Sequence, residues 1–97
     1  MGPKPLTIAI DYDDTFTADM FLWADFMGNA ERAGHKVICV TARKFTPENK
    51  EELKSELPKG TLIYFTGHRS KMEYMAEQGI IPNIWIDDQP KVVVHGV

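Results

Sequence analysis

Short apolar runs alternate with helix signals along the chain, and this alternation limits the fold more than any other feature. The runs lie at about 6–11, 36–41, 61–65 and 83–87. The first is apolar at nearly every position, which is typical of a strand that is buried on both faces. Strands that alternate with helices favour a parallel sheet. The chain, 1–97, therefore predicts one small α/β domain, a parallel sheet with helices covering it.

The helix signals between these runs are capping residues. Three predicted helices begin after a side chain that can accept a backbone hydrogen bond: Asp19, Thr46 and Ser70. Glycine ends the first and third of them, at Gly34 and Gly79. The valine-rich tail, 91–97, is compatible with a short fifth strand beside the fourth.

Reactive polar residues follow the apolar runs. They are Asp11, Asp13 and Asp14 after the first run, Thr41 after the second, Lys71 after Ser70, and Asp87 and Asp88 after the last. Ligands of open α/β sheets bind beyond the carboxyl ends of the strands, so we expect these groups to face one site. Clustered carboxylates repel, and a hard cation with oxygen ligands relieves that repulsion. The pattern predicts a Mg²⁺ site.

Those residues also resemble, in type and order, four motifs of the haloacid dehalogenase (HAD) superfamily of phosphohydrolases. Motif I is similar to the run Ile8-Ala9-Ile10-Asp11-Tyr12-Asp13-Asp14-Thr15. Thr41 resembles motif II, Lys71 the lysine of motif III, and Asp87-Asp88 the paired acids of motif IV. One departure is Asp14, where many members carry glycine. The resemblance implies a three-layer α/β/α Rossmann-like HAD fold with the strand order 3-2-1-4. It also implies a magnesium-dependent phosphomonoester hydrolase.

The family roles carry over to this chain residue by residue. Asp11 is expected to be the nucleophile that forms an aspartyl-phosphate, and Asp13 the general acid and base. Thr41 and Lys71 are expected to hold the transferring phosphoryl oxygens. The implied metal ligands are Asp11, Asp13 through its backbone carbonyl, Asp87 directly and Asp88 through water.

The intervals between the motifs leave no room for a cap domain, because predicted helices and a strand fill them. Capless members tend to act on large substrates or to borrow coverage from a partner subunit, so a large substrate and a homo-oligomer stay open as alternatives. Four basic residues are predicted to bind the substrate beyond its reacting phosphate: Arg43, Lys44, His68 and Arg69.

The residues around motifs II and IV resemble particular members of the superfamily. The phosphatase part of polynucleotide kinase-phosphatases is similar to Trp85-Ile86-Asp87-Asp88 with Val92-Val93-Val94 after it, and to the turn Val40-Thr41-Ala42-Arg43. Small phage-encoded HAD-like proteins are similar as well. This implies a nucleotide or a nucleic-acid terminal phosphate as the substrate. The net charge of −3 argues against a large nucleic-acid footprint but allows a short end to bind.

Two other functions stay open. A phosphotransfer receiver domain also has acids after strand one, a hydroxyl and a lysine, but it needs an aspartate where this chain has Thr66. A degenerate HAD-like module would bind magnesium or a partner without turnover, although all four motifs are intact here.

The composition favours a cytoplasmic protein. Cys39 is the single cysteine, which excludes an intramolecular disulfide. The sequence has no apolar stretch long enough for a membrane span, and residues 1–5 lack the apolar core of a signal peptide. We therefore expect no membrane association.

Overall fold

The computed structural model describes residues 4–97, so the start of the polar segment 1–5 lies outside the described residues. The elements in chain order are β1 (Thr7–Ile10), α1 (Met20–Arg32), β2 (Lys36–Thr41), α2 (Pro47–Glu56), β3 (Ile63–Phe65), α3 (Lys71–Glu77), β4 (Ile84–Ile86) and α4 (Pro90–His95). A short 3-10 helix, Phe16–Ala18, lies between β1 and α1. Within 4–97, no helix is long and apolar enough to cross a membrane.

The four strands form one parallel sheet in the order β3-β2-β1-β4, which confirms the predicted order. Ile10 lies opposite Cys39 on one side and Ile86 on the other. The backbone N–H of Asp11 still bonds to the Ile86 carbonyl at 2.9 Å. The chain therefore leaves β1 and β4 side by side, and their acids begin at the same edge of the sheet.

Helices cover both faces of the sheet, as predicted. On one face the β1 and β2 side chains pack with α1 and α2, and Met27 and Leu53 are buried there. On the other face Ala9, Ile38 and Val40 pack against Met75 of α3. Side chains that point alternately from each strand thus fill two separate apolar layers.

The predicted helix caps are confirmed. Asp19 accepts a hydrogen bond from the Leu22 N–H at 3.0 Å, and Thr46 accepts one from the Asn49 N–H at 3.0 Å. Ser70 accepts one from the Glu73 N–H at 3.3 Å. This last cap fixes the start of α3 and therefore the place of Lys71 in its first turn.

The proposed fifth strand is wrong, because residues 90–95 form the helix α4. Three consecutive valines favour a strand locally, but Pro90 at the helix start has no N–H to give to a sheet ladder and fits a first helical turn. Val93 is buried, and its carbonyl accepts a hydrogen bond from Ser70 at 3.2 Å. Tertiary packing decides the conformation here.

Candidate functional site

Lys71 joins the acids that follow β1 and β4. Its Nζ lies 2.8 Å from Oδ1 of Asp11 and 2.7 Å from Oδ2 of Asp87. The Lys71 side chain is only 2% exposed, and those of Asp11 and Asp87 are 11% and 5% exposed. Buried charges are tolerated only when they are paired and hydrogen-bonded, so the three side chains hold one another in place.

Thr15 connects Asp11 to a third acid, Asp88. Its Oγ1 lies 2.8 Å from Oδ1 of Asp88 and 3.2 Å from Oδ2 of Asp11, and it accepts the Asp88 backbone N–H at 3.1 Å. A hydroxyl has one proton to donate, and the shorter distance assigns it to Asp88. Sequence reasoning gave Thr15 no role, although it lies only four residues after Asp11.

Burial raises the pKa of one of the two acids that Thr15 joins, and hydrogen bonding lowers the pKa of the other. Burial raises the pKa of Asp11 to about 6; the hydrogen bond and charge of Lys71 oppose this rise, and the charge of Asp87 adds to it. The hydrogen bond from Thr15 lowers the pKa of the more exposed Asp88. Two carboxylates at one site with pKa values moved apart are typical of sites that use acids in different roles.

Three of the four predicted metal ligands come together. Asp11, Asp87 and Asp88 each offer a carboxylate oxygen, and these oxygens lie within 4.8 Å of one another. A set of carboxylate oxygens suits a hard divalent cation such as Mg²⁺. The Asp13 side chain is not part of this group, and the role expected of its backbone carbonyl stays a prediction.

Asp13 is instead paired with Arg43. The Arg43 Nε and Nη2 atoms each donate to one Asp13 oxygen at 2.9 Å. Arg43 also donates to Glu52 at 3.0 and 3.2 Å and to Asn49 at 3.0 Å, and its guanidinium carbon lies 5.3 Å from the centre of the Tyr12 ring. The bonds to Asp13, followed by those to Glu52, raise the pKa of Arg43. Its predicted substrate contact stays a prediction, since its donors already have partners.

The other three predicted substrate-binding residues lie outside the cleft that the acids line. Lys44 and His68 are exposed. Arg69 is exposed too, pairs with Glu77, and has its guanidinium carbon 5.5 Å from the centre of the Tyr74 ring. None of the three lines the cleft, so their predicted contact with a substrate stays a prediction.

Thr41 is buried at the end of β2, with 1% of its surface exposed. Its hydroxyl accepts the Arg43 N–H at 3.2 Å, and its carbonyl accepts the Thr66 N–H at 2.9 Å. The next residue, Ala42, reaches the cleft. Thr41 thus lies beside the site, and its predicted contact with a phosphoryl group is untested.

The cleft itself is small, about 120 Å³. Polar residues line it, among them Asp11, Asp13, Lys71 and Asp87, and so do the apolar residues Val92 and Val97. Sequence reasoning missed this apolar lining because it interpreted the tail as a strand. Two larger clefts of about 570 Å³ each lie around residues 58–62, lined mainly by apolar and lysine side chains.

Comparisons of the chain with protein-family models, with curated proteins and with solved structures gave no significant match. The chemistry of the site therefore has to be argued from its own geometry.

Proposed function

We propose that this protein is a magnesium-dependent phosphomonoester hydrolase that forms an aspartyl-phosphate on Asp11. The observation that carries the proposal is the buried contact of Lys71 with both Asp11 and Asp87. A carboxylate that could act as a nucleophile, a fixed positive charge and a second carboxylate thus meet beyond the carboxyl ends of the strands. This is the set of groups that phosphoryl transfer needs, because its transition state spreads negative charge over the phosphoryl oxygens.

Asp11 carries the covalent step. One of its oxygens attacks phosphorus, the bond from phosphorus to the leaving oxygen breaks, and water then attacks the acyl-phosphate to release phosphate and restore the carboxylate. Lys71 holds Oδ1 of Asp11 at 2.8 Å, which orients the carboxylate towards the cleft. Magnesium, held by Asp11, Asp87 and Asp88, would neutralise charge on the phosphoryl group.

Asp13 is the proposed general acid and base. Both of its oxygens accept hydrogen bonds from Arg43, so a protonated Asp13 must rotate away before it can donate to a leaving group. Arg43 keeps Glu52 and Asn49 as partners when this happens. Asp13 is half exposed, with 49% of its side chain accessible, which leaves it room to move.

Two features of the backbone agree with the HAD resemblance. Asp14, which replaces the frequent glycine of motif I, has φ of 63°, a conformation that glycine adopts readily and aspartate tolerates. The sheet order β3-β2-β1-β4 differs from the order 2-1-3-4-5 of receiver-type folds, which removes the support for the receiver alternative.

The proposed substrate is a nucleotide or a nucleic-acid end with a terminal phosphate. No cap-sized insertion separates β1 from α3, so the cleft stays open to a large molecule. Lys44 and His68, which are exposed, are the proposed contacts for further phosphates.

Turnover of an aryl phosphate by the purified protein with magnesium tests this function. Asp11→Asn should lose several orders of magnitude in kcat, because an amide of the same size is a poor nucleophile. Asp25→Asn, which changes an exposed acid of α1, is the matched control and should keep wild-type activity. Asp11→Asn activity within about tenfold of the wild type would exclude Asp11 as the nucleophile.

A further inference from the structure

The loop that precedes Lys71, residues 66–70, is held by hydrogen bonds on two sides. On one side the turn after β2 binds it: the N–H of Thr66 donates to the Thr41 carbonyl at 2.9 Å, and that of His68 donates to the Ala42 carbonyl at 3.0 Å. The loop contains two consecutive left-handed residues, Gly67 with φ of 62° and His68 with φ of 73°. A conformation of this kind persists only where its surroundings hold it.

On the other side the loop is held by a strap, which consists of α4 and the two residues that follow it (residues 90–97). The Val97 N–H donates to the His68 carbonyl at 2.9 Å, and the Ser70 hydroxyl donates to the Val93 carbonyl at 3.2 Å. The strap also lines the cleft through Val92 and Val97. It therefore contacts both the loop that leads to Lys71 and the space where a phosphate would bind.

Gly96 is where the strap and the loop come closest. A Cβ atom at this position would lie 2.7 Å from the His68 carbonyl oxygen, 2.8 Å from the Ser70 nitrogen and 2.9 Å from the Arg69 carbonyl carbon. All three are backbone atoms, which cannot swing aside as a side chain can. Any residue other than glycine must push the loop and the strap apart.

We propose that Gly96 is a positioning residue for Lys71. By letting the strap lie directly on the loop, it fixes the first turn of α3 and keeps the ammonium 2.8 and 2.7 Å from Asp11 and Asp87. The catalytic meaning of this placement rests on the proposed function, whereas the placement itself does not.

The variants for the test are Gly96→Ala and Val97→Pro, with Gly34→Ala as the control. Gly96→Ala adds the overlapping Cβ, and Val97→Pro removes the N–H that bonds to His68. Gly96 has φ of 79° and Gly34 has φ of 94°, but nothing lies within 4 Å of a Cβ at position 34. The control therefore also puts alanine at a positive φ, without the overlap. If Gly96→Ala does not fold, Val97→Pro carries the test.

The first readout is the NMR signal of the Lys71 ammonium, identified by its loss in Lys71→Met. Buried and bonded to two carboxylates, this group should exchange slowly and give a resolved signal in the wild type and in Gly34→Ala. We expect the signal to vanish or shift strongly in Gly96→Ala and Val97→Pro. An unchanged signal in the folded variants would overturn the proposal, whether or not the protein turns over a phosphoester.

The second readout is kcat for an aryl phosphate. Misplacing a catalytic group by about an ångström lowers rates by up to about 100-fold, so both variants should lose roughly 10- to 100-fold while Gly34→Ala stays close to the wild type. Equal losses in Gly96→Ala and Gly34→Ala would mean that backbone strain alone is responsible, and the positioning role would be rejected.

Discussion

Lys71 occupies the first turn of α3, where the helix dipole disfavours a positive charge. Local rules place a solvated polar residue or an acid there, yet this lysine is almost fully buried. Its partners, Asp11 and Asp87, explain the burial, because each forms a short ion pair with it. A residue that breaks a local rule and is stabilised by distant partners is typical of a functional site.

Asp11 makes the stability of the metal-free protein depend on pH. Its pKa in the folded protein is about 6, raised from an ordinary value of 3.8. Between these values the folded protein binds the proton more tightly than the unfolded chain, so this group's contribution to stability falls as the pH rises through that window. The shift corresponds to roughly 3 kcal/mol.

Urea unfolding with a chelator, at several values from about pH 4 to about pH 7, measures this effect. Asp11→Asn cannot titrate, so its free energy of unfolding should rise relative to that of the wild type as the pH increases. Parallel pH profiles for the two proteins would show that Asp11 does not have a raised pKa.

The contribution of Asp13 to kcat should be larger when the leaving group needs protonation to depart. Asp13→Asn should lower kcat severely with an alkyl phosphate and much less with a nitrophenyl phosphate, whose leaving group departs without protonation. Measuring kcat for both substrates checks this. If the two losses are equal, Asp13 is not the general acid.

At the scale of elements, the helix caps could be predicted because they depend on local signals, whereas the strand order was predicted from the resemblance to a known fold. Asp19, Thr46 and Ser70 each cap the helix that their sequence context indicated. The predicted bounds of β3 were too long, since the Thr61 N–H bonds to the Pro58 carbonyl in a turn at 3.1 Å. A short apolar run predicts that a strand is present more reliably than it predicts where the strand begins and ends.

What the sequence could not indicate is which side chains around the site pair with one another. Arg43 and Asp13 are far apart in the chain, and only the pairing of β1 with β2 brings their loops together. The conformation of α4 depends in the same way on the loop that it covers. The apolar residues that α4 and the residues after it contribute to the cleft were therefore missed together with the helix.

Two neighbouring valines test whether α4 is a helix packed on this loop. Val93 is 5% exposed and Val94 is 51% exposed. Val93→Ala should lower the free energy of unfolding by roughly 1–3 kcal/mol, whereas Val94→Ala should change it by less than about 0.5 kcal/mol. Chemical denaturation of both variants measures this. Equal effects would contradict the packing of α4.

At the scale of the whole molecule, the sheet gathers acids from both ends of the chain at one edge. Asp11 and Asp88 come from opposite ends of the sequence, yet both lie at the hydroxyl of Thr15. Asp87 adds a third negative charge, and the single positive charge of Lys71 offsets only part of the total. The fold is therefore expected to be more stable when a cation binds these carboxylates than when it does not.

Magnesium should consequently raise the melting temperature. At about 100 times the dissociation constant, binding to the folded state alone contributes about 2.7 kcal/mol, which is several degrees for a domain of this size. Melts with magnesium and with chelator measure the shift. Asp87→Asn should lose most of it, and Asp25→Asn should keep it. No shift up to about ten millimolar magnesium would mean that the acids do not form a metal site.

The central claim is that a phosphoryl group is transferred to Asp11, and chemical trapping tests it most directly. The protein is mixed with magnesium and a phosphomonoester, quenched during turnover and treated with borohydride, which reduces an aspartyl-phosphate to homoserine. Mass spectrometry of the peptides should find homoserine at position 11, and only when magnesium and substrate are both present. Turnover without modification at this position, or with homoserine at Asp13 instead, would contradict the account.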